Sequence, residues 1–518
     1  MSTFKEHFKE FRSSNVGIMT TNPRLLLFLE TICCCLLWYL LLFHVFPLTW
    51  YLFLLYYICK SSEKLFYKAK YDALPLGNVD ALWLRDKPTN RIVINALLTV
   101  QGDIDLSQFK NTLIKKLRLE DESEDNPFSK AKKRILKGFF HCYWVENTTF
   151  AISDHVKLWL QLVHSEKELR ELVSKLCTRE MDMTKSPWEY NLISFLDKDK
   201  IFKTALLVRL HHCLADGISL ANFLINELSD SVVETTPLKK FSERNRLLLN
   251  IKGLFWGPYF MINMMTAARD ESILHGGELT GTKAVTWSEA IDLDIVKDIK
   301  NKALCTVNDV LVSALSGTLV DFFRKQDLVP TANVKVSIPI DLRANMGDAA
   351  LKFQNKLTVI IFELPIKLHH PLLQLNETKI RTKEIKTSGE PFFMGIALEV
   401  MTSIMPSKFL DPLNRFLCQK TTAILSNVPG PQNPITICGR PLDMLTFWAP
   451  PRDNIGISFS FGTYANQLIF GVQSDTGLLK DPDEICQLFH GNLLALQKSM
   501  DDVNANVDNM VTVNINAQ

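Results

Sequence analysis

The chain has 518 residues, with 58 Lys and Arg against 56 Asp and Glu, a formal net charge of +2. A nucleic-acid binder displaces counterions with a basic surplus, so this balance excludes that class of partner. With 47% hydrophobic and 22% charged residues, wholesale disorder is excluded as well.

In chain order, residues 1–24 form a polar tail of mixed charge, including Lys5, Glu6, Lys9, Glu10, Arg12 and Arg24. Composition then shifts abruptly. Residues 25–59 carry a single formal charge, Glu30, and a bilayer-spanning helix needs about 20 apolar residues. Pro47 divides this run, which leaves two readings, one tilted transmembrane span or a re-entrant hairpin. Trp38, Tyr39, Trp50, Tyr51, Tyr56 and Tyr57 suit an interfacial belt, and Lys60, Lys64, Lys68 and Lys70 follow it. The positive-inside bias then places the remaining body in the cytosol. Eleven cysteines include one cluster, Cys33, Cys34 and Cys35, and no CxxC pair. That usage predicts reduced thiols, not a disulfide scaffold or a zinc ribbon.

From about Tyr71 the chain reads as α/β. The β-branched, apolar stretch 91–100 predicts a strand, and 106–119 has the spacing of an amphipathic helix. Residues 120–134 are charge-dense and predict an exposed loop. Residues 201–210 are almost continuously apolar, as in a strand buried on both faces. Residues 334–339, 357–364, 455–461 and 467–472 are further strand candidates. Residues 231–277 begin polar, turn basic, then become apolar and Met-rich at 254–265. This divider reads either as a crossover helix or as a second membrane-contacting segment, and 391–405 poses the same choice.

The chemistry concentrates at His211-His212-Cys213-Leu214-Ala215-Asp216-Gly217, where the buried strand ends. Adjacent strand side chains point to opposite faces, so the two histidines cannot share one metal ion. No further ligands follow with zinc-like spacing, so no metal site is expected. Two readings remain, a structural histidine pair, or one imidazole facing a cavity as a base while the other is held by packing. The nearest approach to a nucleophile elbow, Gly217-Ile218-Ser219-Leu220-Ala221, lacks the final glycine. No GxGxxG or Walker A pattern appears, so no bound nucleotide cofactor is expected.

The segment resembles the HHxxxDG motif of the wax ester synthase/diacylglycerol acyltransferase family of CoA-dependent acyltransferases. Other segments match that family in order. They include 74–80 (LPLGNVD), 143–146 (YWVE), 154–156 (DHV), 186–189 (SPWE) and 306–310 (TVNDV). Residues 337–343 (SIPIDLR), Gln354-Asn355, 426–431 (SNVPGP) and 454–457 (NIGI) continue the series. Gly77-Asn78 stands where the family has Ser-Pro, and Gln354 where it has glycine.

The resemblance implies a two-lobed fold like chloramphenicol acetyltransferase and peptide-synthetase condensation domains, with a central channel. The implied organisation is a tail (1–24), a membrane segment (25–59), a first lobe (60–230), the crossover (231–277), a second lobe (278–505) and a tail (506–518). It implies that His212 is the general base, taking the proton of a lipid alcohol that attacks a fatty acyl-CoA, with no covalent acyl-enzyme. His211 is implied to be structural, and Asp216 to pair with an arginine, for which Arg343 is the candidate. Gly217 is expected to allow a tight turn. Asn308 and Asp309 are implied by the resemblance to be an activity-linked pair, and they read locally as a helix N-cap and first-turn acid. Ser426, Asn427, Pro429, Gly430 and Asn355 are candidate channel residues. Acyl-CoA is the expected co-substrate, fatty alcohol or diacylglycerol the acceptor, membrane lipids the partners, and the endoplasmic reticulum the location. A catalytically inactive lipid-transfer protein and an amide-forming condensation enzyme are the competing readings. Retention of His212, Asp216, Asn308 and Asp309 argues against the first, and the lack of a carrier domain against the second.

Overall fold

The computed structural model describes residues 28–36, 38–39, 47–123, 125–230, 243–330, 332–343, 352–405 and 407–516. The polar tail 1–24, part of the apolar run and the start of the crossover lie outside the described residues.

The first lobe contains β1 (Leu74–Pro75), β2 (Val93–Gln101), β3 (Lys133–Lys137), β4 (Cys142–Glu146), β5 (Val156–Val163), β6 (Trp188–Leu196) and β7 (Phe202–His211). The second contributes β8 (Lys283–Trp287), β9 (Ile291–Asp292), β10 (Val334–Asp341), β11 (Leu357–Leu364), β12 (Ala423–Pro429), β13 (Thr436–Ile437), β14 (Arg440–Trp448), β15 (Ile457–Tyr464) and β16 (Gln467–Asp475). The sheet orders are β13-β14-β2-β7-β6-β5 and β11-β10-β12-β15-β16-β8, with β9 beside β16, plus a small sheet β1-β4-β3.

The near-continuous apolar runs of β2 and β7 put these strands at the centre of the first sheet. They pair antiparallel in the register Val93↔His211 to Gln101↔Lys203. The histidines therefore fall where the central strand leaves the sheet. On the second sheet, the helix Val307–Lys325 packs its apolar residues into a core with Phe459, Phe461 and Phe470.

The lobes are stitched together. Strand β14 lies in the second half of the sequence but pairs with β2, Leu445 opposite Leu98, so the first sheet is completed by the second half of the chain. Trp287, Trp448 and Ile469 pack with Leu97, Ile193 and Leu207 in a buried cluster drawn from both lobes.

Several expected boundaries move. The helix Pro47–Tyr71 runs unbroken across position 59. No single described helix is long and apolar enough to cross a membrane. The helix Asp483–Asn516 likewise continues through position 505, where a tail was expected. The 120–134 loop closes on a short 3-10 turn, Ser129–Lys132, that leads into β3. The apolar stretches of the crossover and of 391–405 form the helices Glu243–Thr266 and Glu390–Ile404. These pack on each other, with Gly257 leaving room for the Phe393 ring.

Candidate active site

His212 follows the last residue of β7, and its backbone N–H donates to the Ile92 carbonyl at 2.9 Å. Only 7% of the residue is exposed. One face of its ring stacks on Trp83, with centroids 3.9 Å apart and planes at 20°. The Arg452 guanidinium lies 5.0 Å from the Trp83 ring centroid, adding a cation to the stack.

The hydrogen bonds around this imidazole fix its tautomer. The Asn355 amide nitrogen donates to Asp80 Oδ1 (2.9 Å) and to the His212 carbonyl (2.8 Å). Both partners are acceptors only, so the amide cannot be turned around. Its oxygen therefore faces His212 Nδ1 at 2.9 Å, and Nδ1 must carry the proton. Nε2 is left with its lone pair. Burial holds the imidazole down at about 4, against a partial lift from the Asp216 carboxylate, so the ring is neutral at physiological pH.

Asn355 was a candidate for the channel; the geometry makes it the orienter of His212. Asp80 and Trp83, which the sequence reading did not single out for this role, complete the arrangement. They stand three residues apart at the short helix Asn78–Leu82, a spacing that puts both on one face.

His211 points away from this network. Its Nδ1 accepts from the Cys213 N–H and its Nε2 lies 3.3 Å from Asp86 Oδ1. Asp216 and Arg343 meet at 2.5 Å, each side chain 2% exposed. Asp216 also accepts from the N–H groups of Ser219 and Lys356, both at 2.9 Å. Arg343 in turn binds Asp341 (2.9 Å), Ser219 Oγ (2.9 Å) and the Gln354 carbonyl (3.0 Å). Ser219 is thus fully engaged in structure and is no nucleophile. Gly217 makes no left-handed turn. It opens the helix Gly217–Asn222, and a Cβ there would meet only Val428 at 3.8 Å.

An apolar cavity of about 390 Å³ lies beside His212, between the lobes. Ile94 and His212 from the first lobe face Leu311, Ile338, Phe447 and Phe461 across it. Asp216, Gly217, Asn308, Arg343, Ser426 and Asn427 also reach its wall. Asn427 donates to Asn308, joining the two segments. Asp309 instead closes a capping box, its carboxylate accepting from the Thr306 N–H at 2.8 Å. Pro429 and Gly430 are absent from the wall. Residues 426–429 end β12, which pairs parallel with β15 up to Pro429↔Thr463. A Cβ at Gly430 would sit 2.0 Å from the Thr463 carbonyl, so the residue is small for packing reasons. Among the described residues, no group of His, Cys, Asp or Glu could hold a metal ion.

Comparison with known proteins identifies the family. The family model described as the wax ester synthase/diacylglycerol acyltransferase catalytic domain matches residues 77–259, and the WS/DGAT C-terminal domain matches residues 353–497. Together they span more than half of the chain. A Mycobacterium tuberculosis protein named "Probable diacyglycerol O-acyltransferase tgs1" is 24% identical over 444 residues, covering 80% of this chain and 93% of that relative. The wax ester synthase/diacylglycerol acyltransferase of Marinobacter aquaeolei VT8 superposes with a TM-score of 0.59 at 18% identity, covering 82% of this chain and 99% of that structure. A starter condensation domain of rhizomide synthetase, in complex with C8-CoA and Leu-SNAC, gives 0.52 at 10% identity, over 83% and 94% of the two chains. The chain therefore belongs to the wax ester synthase/diacylglycerol acyltransferase family and is an acyltransferase with the condensation-domain type of fold.

Proposed function

We propose that the protein transfers a long-chain acyl group from acyl-CoA to the hydroxyl of a lipid alcohol, either a fatty alcohol or diacylglycerol. The observation that carries this reading is one neutral imidazole, with Nδ1 protonated and Nε2 free, on the wall of an apolar cavity. Nε2 takes the alcohol proton as the oxygen attacks the thioester carbonyl. The tetrahedral oxyanion then expels the CoA thiolate, and the imidazolium returns its proton to that sulfur. Every atom and charge balances without a covalent acyl-enzyme. The test is ester formation from labelled palmitoyl-CoA with hexadecanol or dioleoylglycerol, assayed by chromatography of the neutral lipids.

Asn355 contributes by holding Nδ1–H. Asn355→Ala is expected to lower kcat about 10²-fold, the low end of a general-base contribution, because nothing then holds Nδ1–H or keeps the Nε2 lone pair aimed into the cavity. The KM for palmitoyl-CoA should stay within a factor of about 2 of the wild-type value, since Asn355 faces His212 and not the acyl chain. Initial-rate measurements on the wild type and Asn355→Ala separate these effects.

The acceptors are bilayer-resident, and an apolar face supports attachment to membranes on the cytosolic side, as at the endoplasmic reticulum. Trp50, Tyr51, Leu54 and Ile58 on one helix, and Leu247, Ile251, Leu254 and Phe255 on another, are all exposed. Large apolar side chains left exposed in such numbers on a helix mark an interaction site. Introducing Leu54→Glu together with Leu254→Glu is expected to move the protein from the floating to the soluble fraction in vesicle flotation. Unchanged flotation would remove this face from the attachment.

A further inference from the structure

A second cavity, about 230 Å³, lies at the foot of the exposed apolar helix, and nothing in the acyl-transfer mechanism uses it. Its wall includes Lys60, Asn78, Arg85, Lys137, His141 and Cys142. Electrostatically it is unfinished. Lys60 is only 8% exposed, and its ammonium donates to the Ser403 carbonyl at 3.0 Å and lies 5.7 Å from the Tyr56 and Tyr57 rings. Among the described residues no carboxylate pairs with it. Glu63, one turn on, is consumed elsewhere: it accepts from the N–H groups of Phe139 (2.9 Å) and His141 (3.0 Å) and from Tyr143 Oη (3.1 Å). A buried cation without a counter-ion is costly, as is a buried polar atom without a partner.

His141 supplies the second anomaly. Both of its ring nitrogens are buried and unpartnered, with Glu63 Oε1 too distant at 4.0 Å to bond Nδ1. Lys137 stands exposed at the rim with no ion pair among the described residues. Arg85 contributes a further guanidinium, held by Asp411. Three cationic side chains and an unsatisfied imidazole thus converge on one hollow, which calls for an anion with several acceptor oxygens.

The surroundings select which anion. Phe53, Tyr56 and Tyr57 form an aromatic strip on Lys60's own side of the same helix, about one to two turns before it. A phosphate ester with acyl chains attached can present its charge to Lys60 while its chains lie along that face. We propose that this cavity binds the phosphate of an anionic glycerolipid. The bound lipid would sit against the segment that shapes the active site, because Asn78, Ala81 and Leu82 line this cavity while Asp80 and Trp83 hold Asn355 and His212.

Cys142 provides a readout independent of acyl transfer, since its thiol is a free one on the cavity wall. The full-length chain in detergent micelles is treated with N-ethylmaleimide, and alkylation of Cys142 is followed by peptide mass spectrometry. Phosphatidic acid is expected to slow it about tenfold, and Lys60→Met to abolish most of that protection, as for loss of a charge-assisted hydrogen bond. Phosphatidylcholine should give no protection. Equal protection by inorganic phosphate, or by CoA alone, would overturn the lipid assignment, and no protection by phosphatidic acid would overturn the site. Lys60→Met should also melt no lower than wild type in the absence of lipid, because it removes an uncompensated buried charge. A lower melting temperature would show that Lys60 is already satisfied and defeat the argument. Ester synthesis by Lys60→Met in pure phosphatidylcholine should match wild type, so this proposal can fail while the acyl-transfer reading stands.

Discussion

His212→Ala is expected to lower kcat/KM for ester formation about 10³-fold, the middle of the range for a positioned general base. The fold should survive the change. Asn355 remains anchored to Asp80 and to the backbone carbonyl of residue 212, and Trp83 keeps the Arg452 guanidinium on its ring. The same imidazole sets the pH dependence. It must be neutral to accept a proton, and burial holds it at about 4, well below the ordinary 6.5. The rate should therefore stay flat from neutral pH down through 6.5 and fall only as the pH approaches about 4. Stability follows the same asymmetry. Between 6.5 and about 4 the unfolded chain binds a proton that the folded chain refuses, so stability falls as pH drops through that window. Full activity of the alanine variant, or an acid limb at 6.5, would defeat the assignment.

The parts of this site that lie within one continuous segment were legible in the sequence. An apolar run ending in HHCLADG announced a buried strand delivering two imidazoles to a loop, and β7 is that strand. What decides between the two imidazoles is not local. Asn355 lies 143 positions from His212 in sequence, and it is the contact with it that selects the tautomer. Trp83 was invisible for a different reason, because an aromatic near an apolar helix ordinarily reads as core. The spacing of Asp80 and Trp83 was the available signal. Strand β14 escaped notice because a bulge between Leu442 and Met444 breaks its alternation of faces. Ser426 and Asn427 lie within β12, which continues to Pro429, a strand end where proline is tolerated.

The largest stability effect belongs to the pair that ties the His212 loop to the second lobe. Arg343→Met is expected to cost about 3–5 kcal/mol, because it strands the Asp216 carboxylate in a site where each side chain is 2% exposed. Asp216→Asn should cost a similar amount, since Arg343 would keep its charge with only Asp341 opposite it. The double variant should be milder than the sum, as neither partner is then left buried and unpaired, and a double-mutant cycle of denaturant melts measures that difference. A purely structural latch would stop there. This one should also lower kcat, because Asp216 accepts from the Lys356 N–H, the residue next to Asn355. Arg343 binds the Gln354 carbonyl on the other side of that asparagine. Loosening either contact lets the Nδ1 acceptor drift from His212, so residual folded protein should show reduced kcat with KM nearly unchanged. Wild-type kcat in the folded fraction of Arg343→Met would mean that the latch holds the lobes together without helping to aim the base.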